Sequence, residues 1–171
     1  MKLVYLLFFI SALTLSLSGQ EQARVTGARV IEVGIYQAQV LTSQTNVAGV
    51  KFEGLDEFKL LTVTTNIQAR IGTRFGFRYK IQGAPTNAPI ILTMVGKHPP
   101  IKNETTGKIA TEESYLLRSW IGKIYTSYSL DKESELVPGL WTFEVWHDGK
   151  KLCEQSFLVV SDEDKKLEIP E

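Results

Sequence analysis

Alternation of apolar and polar residues dominates the chain and predicts a protein built of strands. It is clearest in RFGFRYKIQG, where Phe75, Phe77, Tyr79 and Ile81 share one face and polar or small residues share the other. A period of two is typical of a strand with one face on a core. The segments ARVIEVGIYQ, FKLLTVTTNI and IILTMVG are rich in apolar and β-branched residues, and each predicts a further strand.

The segment from Pro138 to Val160 predicts a β-hairpin. Asp148-Gly149 fits a two-residue turn, because glycine adopts the positive φ that such turns require. In that register Phe157 has the opposite parity to Leu152, so we expect a β-bulge between Glu154 and Ser156.

The hairpin places its two tryptophans on opposite faces. Trp141 alternates with the inward positions and is expected in the core. Trp146 falls outside, where it either covers the end of the sandwich or anchors a partner. Tyr125 and Tyr128 could supply neighbouring aromatic cover. Together with His147 and the KHPPIKNETTG segment, these side chains form the candidate binding site.

The segment from Thr111 to Ile124 is open to two interpretations. Thr111 followed by two glutamates could cap a helix, but Gly122 would cost that helix about 1 kcal/mol, and KIYTSYSL alternates as a strand does. We therefore favour a strand. The preceding KHPPIKNETTGK is expected to be the longest loop, because paired prolines and a glycine interrupt regular structure.

These segments predict an all-β protein of about seven to eight strands with turn residues between them. The pattern is typical of an antiparallel, immunoglobulin-like β-sandwich, since strands do not alternate with helices. We assign the sandwich domain to residues 24–161 and a charged C-terminal tail to residues 162–171.

The N-terminal pattern predicts a secretory signal peptide. Lys2 precedes an apolar run from Leu3 to Leu17, and Ser16-Leu17-Ser18 resembles a cleavage site. The run is shorter than the roughly 20 residues that a membrane-spanning helix needs. We expect residues 1–18 to be removed, and the mature chain, without a membrane span, to lie in the periplasm or outside the cell.

Composition and charge narrow the range of partners. A chain of 171 residues that is 43% apolar suits one packed domain. Removal of residues 1–18 takes away one lysine and no acidic residue, so the mature chain is nearly neutral, which argues against a nucleic-acid partner. Cys153 is the only cysteine, so packing alone must hold the domain together, and we expect Cys153 to be buried on a core strand.

Catalytic and metal-binding motifs are missing from the sequence. The two histidines and Cys153 lack the spacing of a zinc site, and neither a G-x-S-x-G elbow nor a glycine-rich phosphate loop before a helix occurs. We therefore predict no catalytic residue, cofactor or metal. An enzyme on this scaffold would require His98 and His147 to converge with a carboxylate.

A stripe of cations lines the outer face of one predicted strand. Arg74, Arg78 and Lys80 alternate with the inward residues there. Most such stripes face solvent and discourage edge pairing, but this one could also bind an acidic partner. Arg74 and Arg78 therefore join the candidate binding residues.

The motifs IGTRFGFRYKIQGAP, HPP, YTSYSL and ELVPGLWTFEVWHDGKKLCEQSFLV have an order and spacing that resembles the bacterial domain of unknown function 3859 family. The resemblance extends from Ala28 to Val160 and is most specific from Glu135 to Phe157. The sequence departs from the family at TNIQA, where Ile-Pro-Ala is expected, and at Cys153, where a small residue is usual. Because the family has no assigned active residue, the resemblance implies an exported bacterial single domain and no mechanism. The matching positions are Gly72, Phe75, Gly76, Pro99, Gly139, Trp141, Trp146, Leu152 and Phe157.

Three functional hypotheses follow. The leading one is a non-catalytic, immunoglobulin-like binding or accessory module whose partner is an exported protein or a carbohydrate. One alternative is a subunit of an exported assembly that is joined through an open sheet edge. The other is a β-scaffold enzyme that uses His98 and His147.

Overall fold

The computed structural model describes residues 22–45, 51–102 and 106–161. Over these ranges the chain forms nine strands and one short 3-10 turn, Glu133–Glu135. No helix among them is long and apolar enough to cross a membrane. The expected signal peptide and C-terminal tail lie outside the described residues. The strands are β1 (Arg24–Thr45), β2 (Lys51–Thr62), β3 (Asn66–Gln68), β4 (Arg74–Ala84), β5 (Pro89–Lys102), β6 (Ile109–Trp120), β7 (Lys123–Ser129), β8 (Gly139–His147) and β9 (Lys150–Val160).

The strands form two sheets. The order is β2-β1-β4-β7 in the four-stranded sheet and β3-β9-β8-β5-β6 in the five-stranded sheet. Neighbouring strands are antiparallel except β3 and β9, which are parallel. The prediction of an antiparallel β-sandwich is confirmed, with nine strands in the described ranges rather than seven or eight.

The core lies between the two sheets and is rich in aromatic rings. The inward residues of β4 are at most 1% exposed, as their alternation predicted, and Trp141 of β8 is fully buried. The Phe75 ring lies 5.1 Å from Phe157 and 5.9 Å from Trp141, in edge-on contacts. Each such pair contributes about 0.5–1.5 kcal/mol beyond the burial of area, so these rings fix the spacing of the two sheets.

The hairpin of β8 and β9 has the predicted turn but a different bulge. Asp148 and Gly149 both have positive φ, 47° and 73°, as a type I′ turn requires. The register shifts between Val145, which pairs with Cys153, and Trp146, so Leu152 is the extra residue. The expected bulge between Glu154 and Ser156 is therefore wrong. Its observed position turns both apolar residues, Leu152 and Cys153, against the core.

The ambiguous segment is two strands, which confirms the strand prediction. β6 ends at Trp120 and β7 begins at Lys123 in the other sheet, with Ile121-Gly122 between them. Gly122, which argued against a helix, has a φ of 152°. The two strands therefore lie at the same side of the sandwich, each at the edge of its own sheet.

Two predicted segment boundaries are wrong. The KHPPIKNETTGK segment is not all loop, because β5 continues to Lys102. Its prolines lie where the pairing with β6 shifts register between Lys97 and Ile101, a position at which proline costs no ladder hydrogen bond. The FKLLTVTTNI segment is divided between β2 and β3, because the Thr64 hydroxyl accepts a hydrogen bond of 3.0 Å from the Asn66 N–H and turns the chain.

Candidate functional site

The predicted binding residues occupy three separate places. Trp146 and His147 lie at the end of β8 in the five-stranded sheet. Tyr125 lies in β7 of the other sheet, on the outer face. Tyr128, three residues further along β7, faces the core. The expected aromatic cover of Trp146 by the two tyrosines is therefore wrong, because alternation sends them to opposite faces of a different sheet.

Trp146 helps to enclose a buried carboxylate. Its indole Nε1–H donates a hydrogen bond of 2.8 Å to Oε2 of Glu144, which lies on the same outer face and is only 4% exposed. Lys97 and Lys151 place their Nζ atoms 2.9 Å and 3.4 Å from the other oxygen, Oε1. Lys151 also lies 5.9 Å from the centre of the Trp146 ring. Trp146 is thus half-buried, with its polar atom already bound inside the chain.

The charge of Glu144 is stabilised where it lies. Burial by itself raises the pKa of this carboxyl. The hydrogen bonds from Lys97, Trp146 and Lys151 outweigh burial and leave the pKa below its usual value. Glu144 is therefore a charged anchor for the outer face. Sequence alternation, which puts it on the same face as Trp146, gave no signal of this burial.

His147 is fixed and lies far from His98. Its Nδ1 lies 2.8 Å from the carbonyl oxygen of Ile91, and its Nε2 lies 3.4 Å from Oδ2 of Asp148. With Arg24 and Lys150 it lines an open cleft of about 290 Å³. His98 instead places its ring 5.2 Å from that of Trp141, at the other end of β8.

The distance between the two histidines can be worked out from the strand register. Lys97, next to His98, pairs with Thr142, and His147 lies five positions further along β8. At about 3.3 Å per residue the two histidines are on the order of 16 Å apart. They do not converge, and the KHPPIKNETTG segment begins at the opposite end of β8 from Trp146. The predicted site that joined that segment to Trp146 and His147 is therefore wrong.

Arg78 and Tyr125 belong to an aromatic stack on the four-stranded sheet. The Phe58 ring stacks between Tyr36 and Tyr125, with ring centres 4.1 Å and 4.3 Å away. The Arg78 guanidinium lies 5.5 Å from the centre of the Phe58 ring and donates to the Phe58 carbonyl oxygen. It also lies 3.4 Å from Glu32. This stack joins β2 and β7, the two edge strands of the sheet, over its outer face.

The hydroxyl of Tyr36 is also held within this group. It donates a hydrogen bond of 3.1 Å to Glu32. Burial, followed by the nearby Glu32 charge, raises the pKa of Tyr36 above its usual value. Beside the stack, Gly34 and Gly76 face each other across β1 and β4. These two glycines were a possible signal in the sequence for large rings packed beside them. Nothing in the sequence, however, indicated that Phe58 would stack on Tyr125.

The two remaining candidates make structural contacts. Arg74 donates to the Ser127 hydroxyl over 3.4 Å. The Tyr128 ring lies 5.0 Å from Trp141 in the core. Burial, and to a lesser degree the charge of Glu135, raises the pKa of Tyr128. Both side chains therefore support the sandwich, and neither lies near Trp146.

A row of three cations crosses the outer face of the four-stranded sheet. Lys80 of β4 pairs with Arg29 of β1 on one side and with Lys123 of β7 on the other. Because neighbouring strands are about 4.8 Å apart, the row is on the order of 10 Å long. All three residues are exposed, and in the part of the chain that the structure describes none of them has an ion-pair partner. Of these three cations, only Lys80 belonged to the stripe that was predicted from the sequence. Arg29 and Lys123 lie on other strands, and only the strand register shows that they are beside Lys80.

Like charges directly opposite each other on neighbouring strands destabilise a sheet. The row therefore costs folding free energy. Among the described residues no group of three or more His, Cys, Asp or Glu side chains is arranged to hold a metal.

The fold defines an immunoglobulin-like β-sandwich protein. An immunoglobulin-like protein of Pseudomonas aeruginosa superposes with a TM-score of 0.59 at 21% identity, over 83% of this chain and 99% of that chain. The chain belongs to the family described as domain of unknown function (DUF3859), whose model matches residues 24–159.

Other comparisons add little to this assignment. An alkylpurine DNA glycosylase of Pseudomonas fluorescens, in a structure bound to DNA with an abasic site analogue, is 14% identical. It aligns over 75% of this chain and 30% of that chain with a TM-score of 0.36. No curated protein matches the sequence.

Proposed function

We propose that this protein is an exported, non-catalytic binding module that recognises an acidic protein surface in the periplasm or outside the cell. The observation that carries the proposal is the cation row of Arg29, Lys80 and Lys123. A partner that presents carboxylates along the row would remove the repulsion between the three charges and would be steered to the face before contact.

The surroundings of the row favour a protein partner over a carbohydrate. Sugar rings are commonly bound on exposed aromatic faces, but the rings on this face are stacked on one another. Tyr36 is 2% exposed and Phe58 is 8% exposed, so neither offers a free face. The exposed groups in the row are cationic, and they match carboxylates better than neutral hydroxyl groups.

Export rests on the N-terminal sequence pattern. The single lysine, the apolar run and the Ser16-Leu17-Ser18 site support cleavage after residue 18. Fractionation of a bacterium that expresses the full chain should recover it outside the cytoplasm, with Gly19 as its first residue by intact mass. A chain that keeps residues 1–18 would contradict this part of the proposal.

A non-catalytic role agrees with the placement of the reactive groups. The two histidines that an enzyme would need together are held at opposite ends of β8 by separate contacts. Burial raises the pKa of the Cys153 thiol to about 11, which leaves little thiolate at neutral pH.

The test compares two variants with the same change in net charge. One replaces Arg29, Lys80 and Lys123 with glutamine. The matched control replaces three other exposed lysines with glutamine: Lys102, Lys108 and Lys150. On immobilised poly-L-glutamate, the control should elute at nearly the salt concentration of the wild type, and the row variant should elute at a much lower one. Equal elution of the two variants would refute the row as the binding surface.

A further inference from the structure

Among the described strands, β6 is a long one at the edge of its sheet. It has 12 residues, whereas β3, at the other edge of the same sheet, has three. Natural edge strands are commonly shortened or carry lysine or proline, because their free backbone groups can pair with another chain. β6 contains neither residue type, and its large apolar side chains Leu116 and Trp120 are 70% and 49% exposed.

The free backbone groups of β6 belong to its even-numbered residues. The Ile121 N–H donates to the Ala88 carbonyl over 3.0 Å, towards β5. Because hydrogen-bonding direction alternates along a strand, and the register with β5 is continuous from Glu112 to Trp120, the even residues of that stretch direct their N–H and C=O groups away from β5. Their side chains point to the outer face, since Tyr115 and Leu117 pack against the core.

The even-numbered residues are complementary to themselves. If a second copy pairs antiparallel with a two-fold axis at Tyr115, Glu112 lies opposite Arg118 of the other copy. In the same register the large Leu116 faces the small Ser114. The symmetry repeats each of these pairs on both sides of the axis.

Neighbouring registers lose this match. Moving the axis to Ser114 places Arg118 opposite Ala110, and moving it to Leu116 places Arg118 opposite Ser114. Arg118 has no ion-pair partner within the described ranges, so pairing would give it one. In the register of β5 and β6, Glu112 lies opposite Lys97, so a cation stays on the same face.

We propose that a second copy of this chain binds at β6 and joins the two five-stranded sheets into one continuous sheet. The two-fold axis stands perpendicular to this sheet, so the outer faces of both four-stranded sheets point to the same side. The dimer would therefore present two cation rows to one acidic surface and increase avidity. The pairing itself does not depend on the proposed binding function, because it involves none of the row residues.

Charge reversal tests the pairing and its register together. In a homodimer, Glu112→Arg places two arginine side chains opposite each other at both contacts, and Arg118→Glu places two acidic side chains opposite each other at both. We expect the wild-type mature chain to sediment at twice its own monomer mass, and each variant to dimerise about tenfold more weakly or worse. An equimolar mixture of the two variants should regain the wild-type affinity, because one contact of the mixed dimer is then a Glu–Arg pair in reversed order and the other is the native pair.

Controls separate this result from unfolding and from the proposed function. All variants should keep the wild-type far-UV spectrum and melting temperature, because both residues are exposed. Glu133→Arg, a charge reversal away from β6, should dimerise like the wild type, and so should the cation-row variant. A wild type that stays monomeric at high micromolar concentration would overturn the proposal. The proposal would also be overturned if both charge-reversal variants dimerised as tightly as the wild type. The same holds if an equimolar mixture of the two variants did not regain the wild-type dimer affinity.

Discussion

The aromatic stack on the four-stranded sheet makes a strong prediction about stability. Phe58 is 8% exposed and is the middle ring between Tyr36 and Tyr125, with an Arg78 guanidinium beside it. Phe58→Leu preserves most of the apolar burial but removes both ring contacts and the cation–π contact. We expect this variant to fold with the same topology and to be measurably less stable.

The contacts of Phe58 allow the loss of folding free energy to be worked out. Each stacked pair contributes about 0.5–1.5 kcal/mol beyond burial, and a partly exposed cation–π contact contributes about 0.5–1 kcal/mol. A swap of similar volume by itself usually costs less than about 1.5 kcal/mol. We therefore expect the free energy of unfolding to fall by about 2–4 kcal/mol, which corresponds to a melting temperature lower by roughly 6–12 °C.

The assay is urea unfolding followed by fluorescence and circular dichroism. The slope of unfolding free energy against urea should stay constant while the midpoint falls, because only native contacts are removed. Tyr125→Leu, alone and combined with Phe58→Leu, completes a double-mutant cycle, whose coupling energy should be about 0.5–1.5 kcal/mol. A loss below about 1 kcal/mol for Phe58→Leu, or strictly additive effects in the cycle, would refute the stacking argument.

Two further predictions concern the outer face and the sheet interior. Glu144→Gln should lower stability at pH 7 by about 1–2 kcal/mol, because it removes a charge that three donors stabilise. Since the folded-state pKa of Glu144 lies below its unfolded value, this contribution is fully present above about pH 4.3 and is lost as pH falls through the folded pKa. Urea titrations of both proteins from pH 7 to pH 3 should converge, and a constant gap would contradict the assignment. Gly76→Ala should destabilise strongly, because its Cβ would lie 2.1 Å from the Thr126 carbonyl oxygen, whereas Gly96→Ala, whose nearest contact is 3.6 Å, should stay within about 1 kcal/mol of the wild type. Thermal melts compare the two, and equal stability would show that the sheet adapts at Gly76.

The alternation of residue types is a local property, and it was enough to define the class of fold. The inward residues of β4 were predicted from their period, and so was the burial of Trp141. Gly122 and the alternation of KIYTSYSL correctly favoured strands over a helix, because backbone preference acts within a few residues. The tight turn at Asp148-Gly149 followed from the positive φ that glycine tolerates.

Positions that depend on a distant strand could not be predicted in this way. The bulge at Leu152 depends on which apolar residues the opposite sheet can bury. Alternation placed Trp146 outside but gave no account of Glu144, whose burial requires lysines from β5 and β9. Both are results of packing between strands, which no single segment specifies.

The sequence by itself thus determined the all-β class, the inner face of the most regular strand and the tight hairpin turn, because these follow from side-chain period and turn chemistry. Tertiary structure alone decided the strand order and register. Those choices assembled Arg29, Lys80 and Lys123 into one row and placed β6 at the edge of its sheet among the described strands. They also separated His98 from His147. The physical reason is that a surface is formed by neighbours across strands, whereas a strand is formed by neighbours along the chain.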